Sequence, residues 1–552
     1  MNTNYPNTTP ATGAERMLDA LEALGIRYFL GNGGTDFPAI VRAFVSRANA
    51  GRKSPVPMAI VHENLAMGMA HGYHLATGEM VAVMVHVTVG TANALCGLMN
   101  AHRDRVPILL MAGRTPLGES GSAASRNVYI HWGQESFDQG GTVREYVKWD
   151  YEPREPQQIV PALCRAVSIA RAEPTGPVYL SLAREHLHAE HPAVAAHVPA
   201  TARPGVADQS LSSLRAMLAS ASRPLLITSA AGRTQAGFAS LTAFAETEGI
   251  PVVQFRPRSI SLAASSPWHA GFDPHPLLGE ADLVLVADID VPWIPSRANL
   301  PDTAKIVAIG TDPLYSGYPY WGFQPDLVVD APVPQVLDSL AAAQSAPISP
   351  ERQSWRERAT QGRAAASEGF DFARASQVIG EELADAIFVN ENPLDPARLP
   401  IETQGRYFGS SPAGGLGWGL GAALGVKLAH PRDMVVCAVG DGAYMFGVPT
   451  AYHHASRHYG LPVLTIVFNN RQWGGVRRAT QACYPNEPGA ALDAAPFIDL
   501  GESPEFGMIC QSCGGAAFKA ASEAELRSAL ARARGELASN RQALIDLRME
   551  GT

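Results

Sequence analysis

Two short polar segments stand where two apolar runs end. Met434-Val-Val-Cys-Ala-Val439 leads into Gly440-Asp441-Gly442, and Leu464-Thr-Ile-Val-Phe468 leads into Asn469-Asn470. A carboxylate oxygen, an amide oxygen and backbone carbonyls make a hard donor set. That set suits Mg2+, which takes oxygen ligands and keeps positions open for phosphate. If both runs are parallel strands, their polar ends meet in the crevice beyond the strands' carboxyl ends, where open α/β sheets bind ligands. Gly442 would let backbone come close to such a ligand. Either segment alone reads as a turn or a helix cap. With a strand before each and twenty-six residues between Gly442 and Asn469, a Mg2+-diphosphate anchor is the stronger reading.

Positioning these residues takes layered α/β structure, and strand-like and helix-like segments do alternate along nearly the whole chain. Near the N-terminus a helix over Ala14–Leu24 precedes the strand Tyr28–Leu30, which ends in Gly31-Asn-Gly-Gly-Thr35-Asp36. Met58–Val61 leads into Glu63 and the helical run Asn64–Thr77, and Met80–Val85 leads through a loop at His86 into Ala92–Arg103. Pro107–Ala112 and Val178–Leu182 complete this block. A second block carries strands at 224–228, 252–255, 283–287, 305–310 and 327–329; a third carries them at 386–389, 434–439, 463–468 and 543–546. The expected organisation is three doubly wound parallel-sheet domains: 1–187, 208–345 and 373–552, with linkers at 188–207 and 346–372.

Composition narrows the function classes. The chain has 552 residues, 46% apolar and 17% charged, which excludes a disordered protein and hints at burial between subunits. A net charge of −9 without a dense Lys/Arg run argues against nucleic acid as a partner. The polar start lacks the pattern of a secretory signal. The most apolar stretch, Met80 to Met99, is interrupted by His86, Thr88 and Asn93 and reads as a buried strand and helix rather than a membrane span. Six scattered cysteines suit a reducing compartment, so a cytoplasmic location is expected. Cys510-Gln-Ser-Cys513 has no second pair or nearby His to complete a zinc site. Gly417-Trp-Gly419 with Ala422 is a poor dinucleotide fingerprint, lacking an immediately preceding strand and a clear acidic partner, so a NAD-dependent dehydrogenase has little support.

The GDG segment, a gap in the twenties and a following NN pair resemble the recognition pattern of thiamine diphosphate enzymes. A second match is independent: Ala59-Ile-Val-His-Glu63 followed by Asn64-Leu-Ala-Met-Gly-Met-Ala-His-Gly-Tyr73. The resemblance covers essentially the full length, as pyrimidine-binding, middle Rossmann-like and diphosphate-binding domains. It is closest to the acetolactate synthase and benzoylformate decarboxylase (2-oxo acid decarboxylase) group. It implies thiamine diphosphate and Mg2+ as cofactors, with Asp441, Asn470 and the Gln472 carbonyl on the metal and Gly442 and Ala443 beside the diphosphate. Glu63 would bond the aminopyrimidine and promote its imino form; the alternative for an isolated Glu there is a first-turn acid favoured by the helix dipole. In Ser410-Ser-Pro-Ala-Gly-Gly-Leu-Gly417, Leu416 would wedge between the cofactor rings and the Gly414 carbonyl would receive the amino group. Asn390 and Glu391 would meet the cofactor, unless they only terminate a core strand.

The substrate end follows from the same resemblance. Thr35 stands where benzoylformate decarboxylases carry a serine, and His86 where they carry a histidine suited to proton relay. The group's other substrate-facing histidine has no counterpart in Asp288-Ile-Asp-Val-Pro-Trp-Ile-Pro295, and the adjacent-histidine pair of pyruvate decarboxylases is missing from the first block. Benzoylformate itself is therefore doubtful, while Arg477 offers a charge for an anionic substrate. The implied reaction is decarboxylation of a 2-oxo acid through a C2-carbanion and enamine; the alternatives are an acetolactate synthase-like carboligase and a catalytically silent homologue. Acetolactate synthases also hold FAD in the middle domain, but no motif for it stands here. In the family the two cofactor halves meet across a subunit interface, which implies at least a homodimer and commonly a homotetramer.

Overall fold

Runs of Val, Ile, Leu and Ala buried on both faces build three all-parallel sheets, the expected outcome when helices cover each side of a sheet. The structure, a computed structural model, describes residues 11–549 except 193, 198, 200–204, 343–346, 362–368 and 487. The first sheet has six strands in the order Val56–Ala59, Tyr28–Gly31, Val81–Val85, Ile108–Arg114, Val178–Ala183 and Asp150–Tyr151. The middle sheet has five, in the order Val252–Gln254, Pro224–Thr228, Leu283–Ala287, Lys305–Gly310 and Leu327–Asp330. The third has six, in the order Tyr407–Gly409, Ile387–Glu391, Val435–Gly440, Leu464–Asn469, Ala543–Arg548 and Ala516–Ala520.

In each outer sheet the chain moves one strand outward and then returns to the opposite side of the strand it left. Such reversal points open a crevice at the strands' carboxyl ends. In the first sheet the reversal lies between Tyr28–Gly31 and Val81–Val85, which places Thr35 and His86 at one crevice. In the third it lies between Ile387–Glu391 and Val435–Gly440, so Glu391 and Asp441 emerge side by side. Asn470 follows the next strand, which pairs in register with the one before Asp441.

Helix Glu63–Thr77 starts at an N-cap, His62, whose side chain accepts from the Asn64 N–H, and stops at Gly78 in the left-handed conformation (φ 73°). It packs along helix Trp418–Ala429 of the third domain through a seam of small residues. A Cβ on Gly72 would lie 2.1 Å from the Ala422 carbonyl oxygen, and one on Gly425 would lie 2.1 Å from that of Met69. The glycines that enrich these helices in sequence therefore let two backbones touch. Of the glycines at 417–421, Gly421 belongs to this packing, facing Gly68 and Leu65, while Gly417 packs on Gly447 and Gly419 on Glu391 and Val439.

Strands Asp150–Tyr151, Tyr407–Gly409 and Ala516–Ala520 were not expected from the sequence, and other segments differ from the expectation. Strand Val56–Ala59 ends earlier, so Glu63 is the first residue of its helix. The helix after His86 begins at Val87, not at Ala92, because Thr91 is held by the Val87 carbonyl (2.8 Å) and the Tyr179 hydroxyl (2.8 Å), contacts that override the weak helix preference of Val87-Thr-Val-Gly. Within the 188–207 stretch, Glu190–His191 forms a strand that pairs antiparallel with Ala11–Thr12. Part of the 346–372 stretch is helix Pro350–Ala359, anchored on the middle sheet by the fully buried Trp355, whose indole N–H donates to the Pro224 carbonyl at 2.7 Å. Burial of one large aromatic held that helix where composition suggested a linker. The 80–99 stretch is a strand and a helix as expected, and among the described residues no helix is long and apolar enough to cross a membrane.

Candidate active site

The first crevice holds a cluster of proton-handling side chains. Asp36, 2% exposed, places Oδ1 2.6 Å from Nδ1 of His86. That contact holds the imidazole above its ordinary pKa, against the opposing effect of burial. On the other side of the ring, Nε2 faces the Gln134 amide at 3.2 Å. Thr35 Oγ1 lies 3.1 Å from Nε2 of the buried His131, whose pKa burial pushes down, so that ring stays neutral near pH 7. Glu63 is buried and accepts from the Asn93 amide at 3.2 Å. Val87, just past His86, sits at φ 37°, a rare conformation for a β-branched residue and the kind of strain that collects at functional sites.

Thr35, Glu63 and His86 were the residues singled out in this crevice; Asp36, Asn93, His131 and Gln134 were not. Asp36 adjoins Thr35, and the Gly113 backbone packs so closely on it that a Cβ there would meet Oδ2 at 1.7 Å. His131 and Gln134 come from the long excursion between Ile108–Arg114 and Asp150–Tyr151, which carries only short helical turns. Its length was the available signal, since long loops inside a domain are commonly functional.

The second crevice holds the oxygen donors. Asp441, 2% exposed, accepts from the N–H groups of Gly442 (2.7 Å) and Arg471 (2.6 Å). Burial nonetheless pushes its carboxyl above the usual range, with Asp546 nearby as a second negative charge. A bound cation would relieve that cost, so this carboxylate fits Mg2+. Of the two asparagines, Asn469 is consumed structurally: its amide donates to Asp546 (2.8 Å) and accepts from Ser503 (2.8 Å). Among the described residues Asn470 accepts only from the Gln472 N–H, at 3.2 Å, and keeps oxygen capacity for a metal. A Cβ on Gly442 would meet the Trp473 ring at 2.4 Å, so that ring demands glycine there; Ala443 is buried on the same helical turn.

The loop before Trp418 is tethered from two sides. Asn100 of the first domain donates to the Gly415 carbonyl (2.8 Å) and accepts from its N–H (3.1 Å). Glu391 accepts from the N–H groups of Gly417 and Gly419, both at 2.7 Å, and burial pushes its carboxyl up to about 7. The tethers leave Gly414 exposed at φ 70° and Leu416 half-buried at the crevice. The Asn390 amide bonds Leu394 and Tyr407, and the Glu391 carboxyl bonds the helix start, so both side chains are engaged within the fold. Arg477 is paired with Asp493 at 2.6 Å. No hydrogen bond or ion pair among the described residues joins Glu63 to Asp441 or Asn470.

Residues 11–141 match the family model described as "Thiamine pyrophosphate enzyme, N-terminal TPP binding domain", and residues 394–547 match its C-terminal TPP binding domain. Neither match reaches the middle sheet, and FAD gains no support from them. Among curated proteins the chain is 30% identical to a benzoylformate decarboxylase of Pseudomonas aeruginosa, over 88% of this chain and 90% of that one. It is 24% identical to an acetolactate synthase large subunit of Haemophilus influenzae, over 94% and 91%. Its fold matches the 4-hydroxybenzoylformate decarboxylase of Rhodococcus jostii RHA1, with a TM-score of 0.80 and 24% identity over 98% of this chain and 99% of that one.

Proposed function

Since this chain belongs to the thiamine pyrophosphate enzyme family, we propose that it is a Mg2+-dependent lyase that releases CO2 from a 2-oxo acid. The observation that carries this reading is the hydrogen-bonded His86–Asp36 pair in the same crevice as Glu63. Decarboxylation that ends in an aldehyde needs a proton where CO2 leaves, and a charged imidazole is a suitable donor. The cofactor, when bound, supplies a thiazolium carbon that accepts the electron pair of the breaking bond.

This chain's own residues hold and orient. Asp441, the Asn470 amide and the Gln472 carbonyl would hold Mg2+, with Gly442 and Ala443 against the diphosphate. Glu63 would bond the pyrimidine, the Gly414 carbonyl would take its amino group, and Leu416 would support the bend. Thr35 would donate its hydroxyl to the substrate carboxylate. Asn390 and Glu391 would act through backbone, their side chains being occupied. The working form is a cytoplasmic homodimer or homotetramer in which Glu63 of one chain serves the anchor of another.

Two measurements test this. Thiamine diphosphate with Mg2+ should raise Tm, by the equivalent of about 2.7 kcal/mol at 100 times Kd, where either alone has little effect. A panel of 2-oxo acids, scored for CO2, aldehyde and coupled 2-hydroxyketone, should yield aldehyde; coupled ketone as the main product would favour the carboligase. On the best substrate Glu63→Gln should lower kcat by roughly 10²–10⁴. Near-wild-type turnover in that variant would sink the assignment.

A further inference from the structure

We propose that Asp36, His86 and Gln134 form a proton-holding triad. In it Asp36 fixes the Nδ1–H of His86, and the Gln134 amide turns to match either charge state of the ring. The proposal rests on the function proposed above and names the residues that set its proton supply.

The geometry starts at Asp36. Its carboxylate is 2% exposed; Oδ1 contacts His86 Nδ1 at 2.6 Å, and Oδ2 has no hydrogen-bond partner among the described residues. A buried carboxylate without a balancing charge is costly, so its one described partner is driven toward the imidazolium. A Cβ on Gly34 would come 2.3 Å from His86 Nδ1, and one on Gly113 would meet Asp36 Oδ2, so both side chains are seated against glycine backbone and have little room to turn away.

Gln134 completes the arrangement. Its Nε2 faces His86 Nε2 at 3.2 Å, while its Oε1 is buried with no partner among the described residues. In this orientation the amide donates to a neutral ring. Turned by half a revolution, it puts the unpartnered Oε1 on the Nε2–H of a protonated ring. Either state is then satisfied at both nitrogens, since Asp36 accepts from Nδ1–H in each. In turnover the Nε2–H breaks its bond to Gln134 Oε1 and its proton passes to the substrate-derived carbon that has lost CO2. The ring becomes neutral, the amide turns to donate, and a solvent proton restores the imidazolium. The other groups facing His86 are consistent with this: Glu63 from its helix raises the ring's proton affinity, and His131 shares the pocket as a neutral ring.

Hydrogen–deuterium exchange at histidine Cε1, followed by mass spectrometry on the full-length chain, reads the titration midpoint of His86 without needing a substrate. The midpoint should lie above that of an ordinary histidine, fall by about one unit or more in Asp36→Asn, and rise in Gln134→Glu. Unfolding would move both variants to the same unperturbed value, so opposite shifts identify the triad. A midpoint unchanged in Asp36→Asn, or equal shifts in both variants, overturns it. With an active 2-oxo acid, the His86-dependent limb of the kcat–pH profile should move with the exchange midpoint. If no 2-oxo acid is turned over, the proposed function fails while the exchange result still decides the triad.

Discussion

At the scale of single residues, the two asparagines of the anchor show how neighbours divide between structure and chemistry. Asn469 ends a strand, and its side chain bonds Asp546 and Ser503; Asn470, one residue on, shares neither partner and accepts from the Gln472 N–H. In an extended chain successive side chains face opposite sides, which is how neighbours come to have different partners. Glu391 shows the converse, a carboxylate in a cofactor-rich neighbourhood that is spent on two backbone N–H groups. Burial is the larger effect on its proton affinity and places its folded-state pKa at about 7, above that of a free Glu. A group whose pKa is raised on folding contributes stability that is fully present below the unfolded pKa and is lost as pH rises through the folded one. Chemical denaturation should therefore show the folded state losing stability between about pH 4.5 and pH 7 relative to Glu391→Gln, which cannot ionise. Parallel pH profiles for the two proteins would show that Glu391 stays ionised throughout.

At the scale of elements, the decisive contact is between helices Glu63–Thr77 and Trp418–Ala429. It ties the segment carrying Glu63 to the segment that follows the Gly414–Leu416 loop, so both crevices inherit their positions from one small-residue seam. Gly→Ala in a helix interior is ordinarily stabilising by about 1 kcal/mol. Gly72→Ala should do the opposite, because its Cβ would collide with the Ala422 carbonyl; overpacking of this kind costs roughly 1–3 kcal/mol. A raised Tm in Gly72→Ala would mean that the seam is looser than this.

At the scale of the whole molecule, Glu63 of one chain has no hydrogen bond to Asp441 or Asn470 among the described residues, and both crevices have apolar rims. Val89, Trp132 and Phe137 stand exposed around the first, and Phe446, Val476 and Phe497 around the second, Phe497 at 87%. Exposed apolar patches rimmed by polar residues mark interaction surfaces. Sedimentation at working concentration should give two or four times the 58.6 kDa of the chain. Full turnover by a 58.6 kDa species would show that one chain completes the site alone.

The sequence by itself determined the layered α/β fold and the Asp441, Asn470 and Glu63 candidates. Strand runs are local in period, and the polar residue that ends a strand is read from the same few residues. The tertiary structure alone decided which of these side chains remain available. Glu391 and Asn390 only mark a strand end in the sequence, while their hydrogen bonds run to residues up to 28 positions away. His131 and Gln134 look like loop residues until the excursion that carries them closes over Thr35 and His86. The low charged fraction first suggested burial between subunits, and the exposed rims now give that suggestion a location. Long-range pairing follows from how the sheets wind and where the glycine seam lets helices touch, and no local pattern records it.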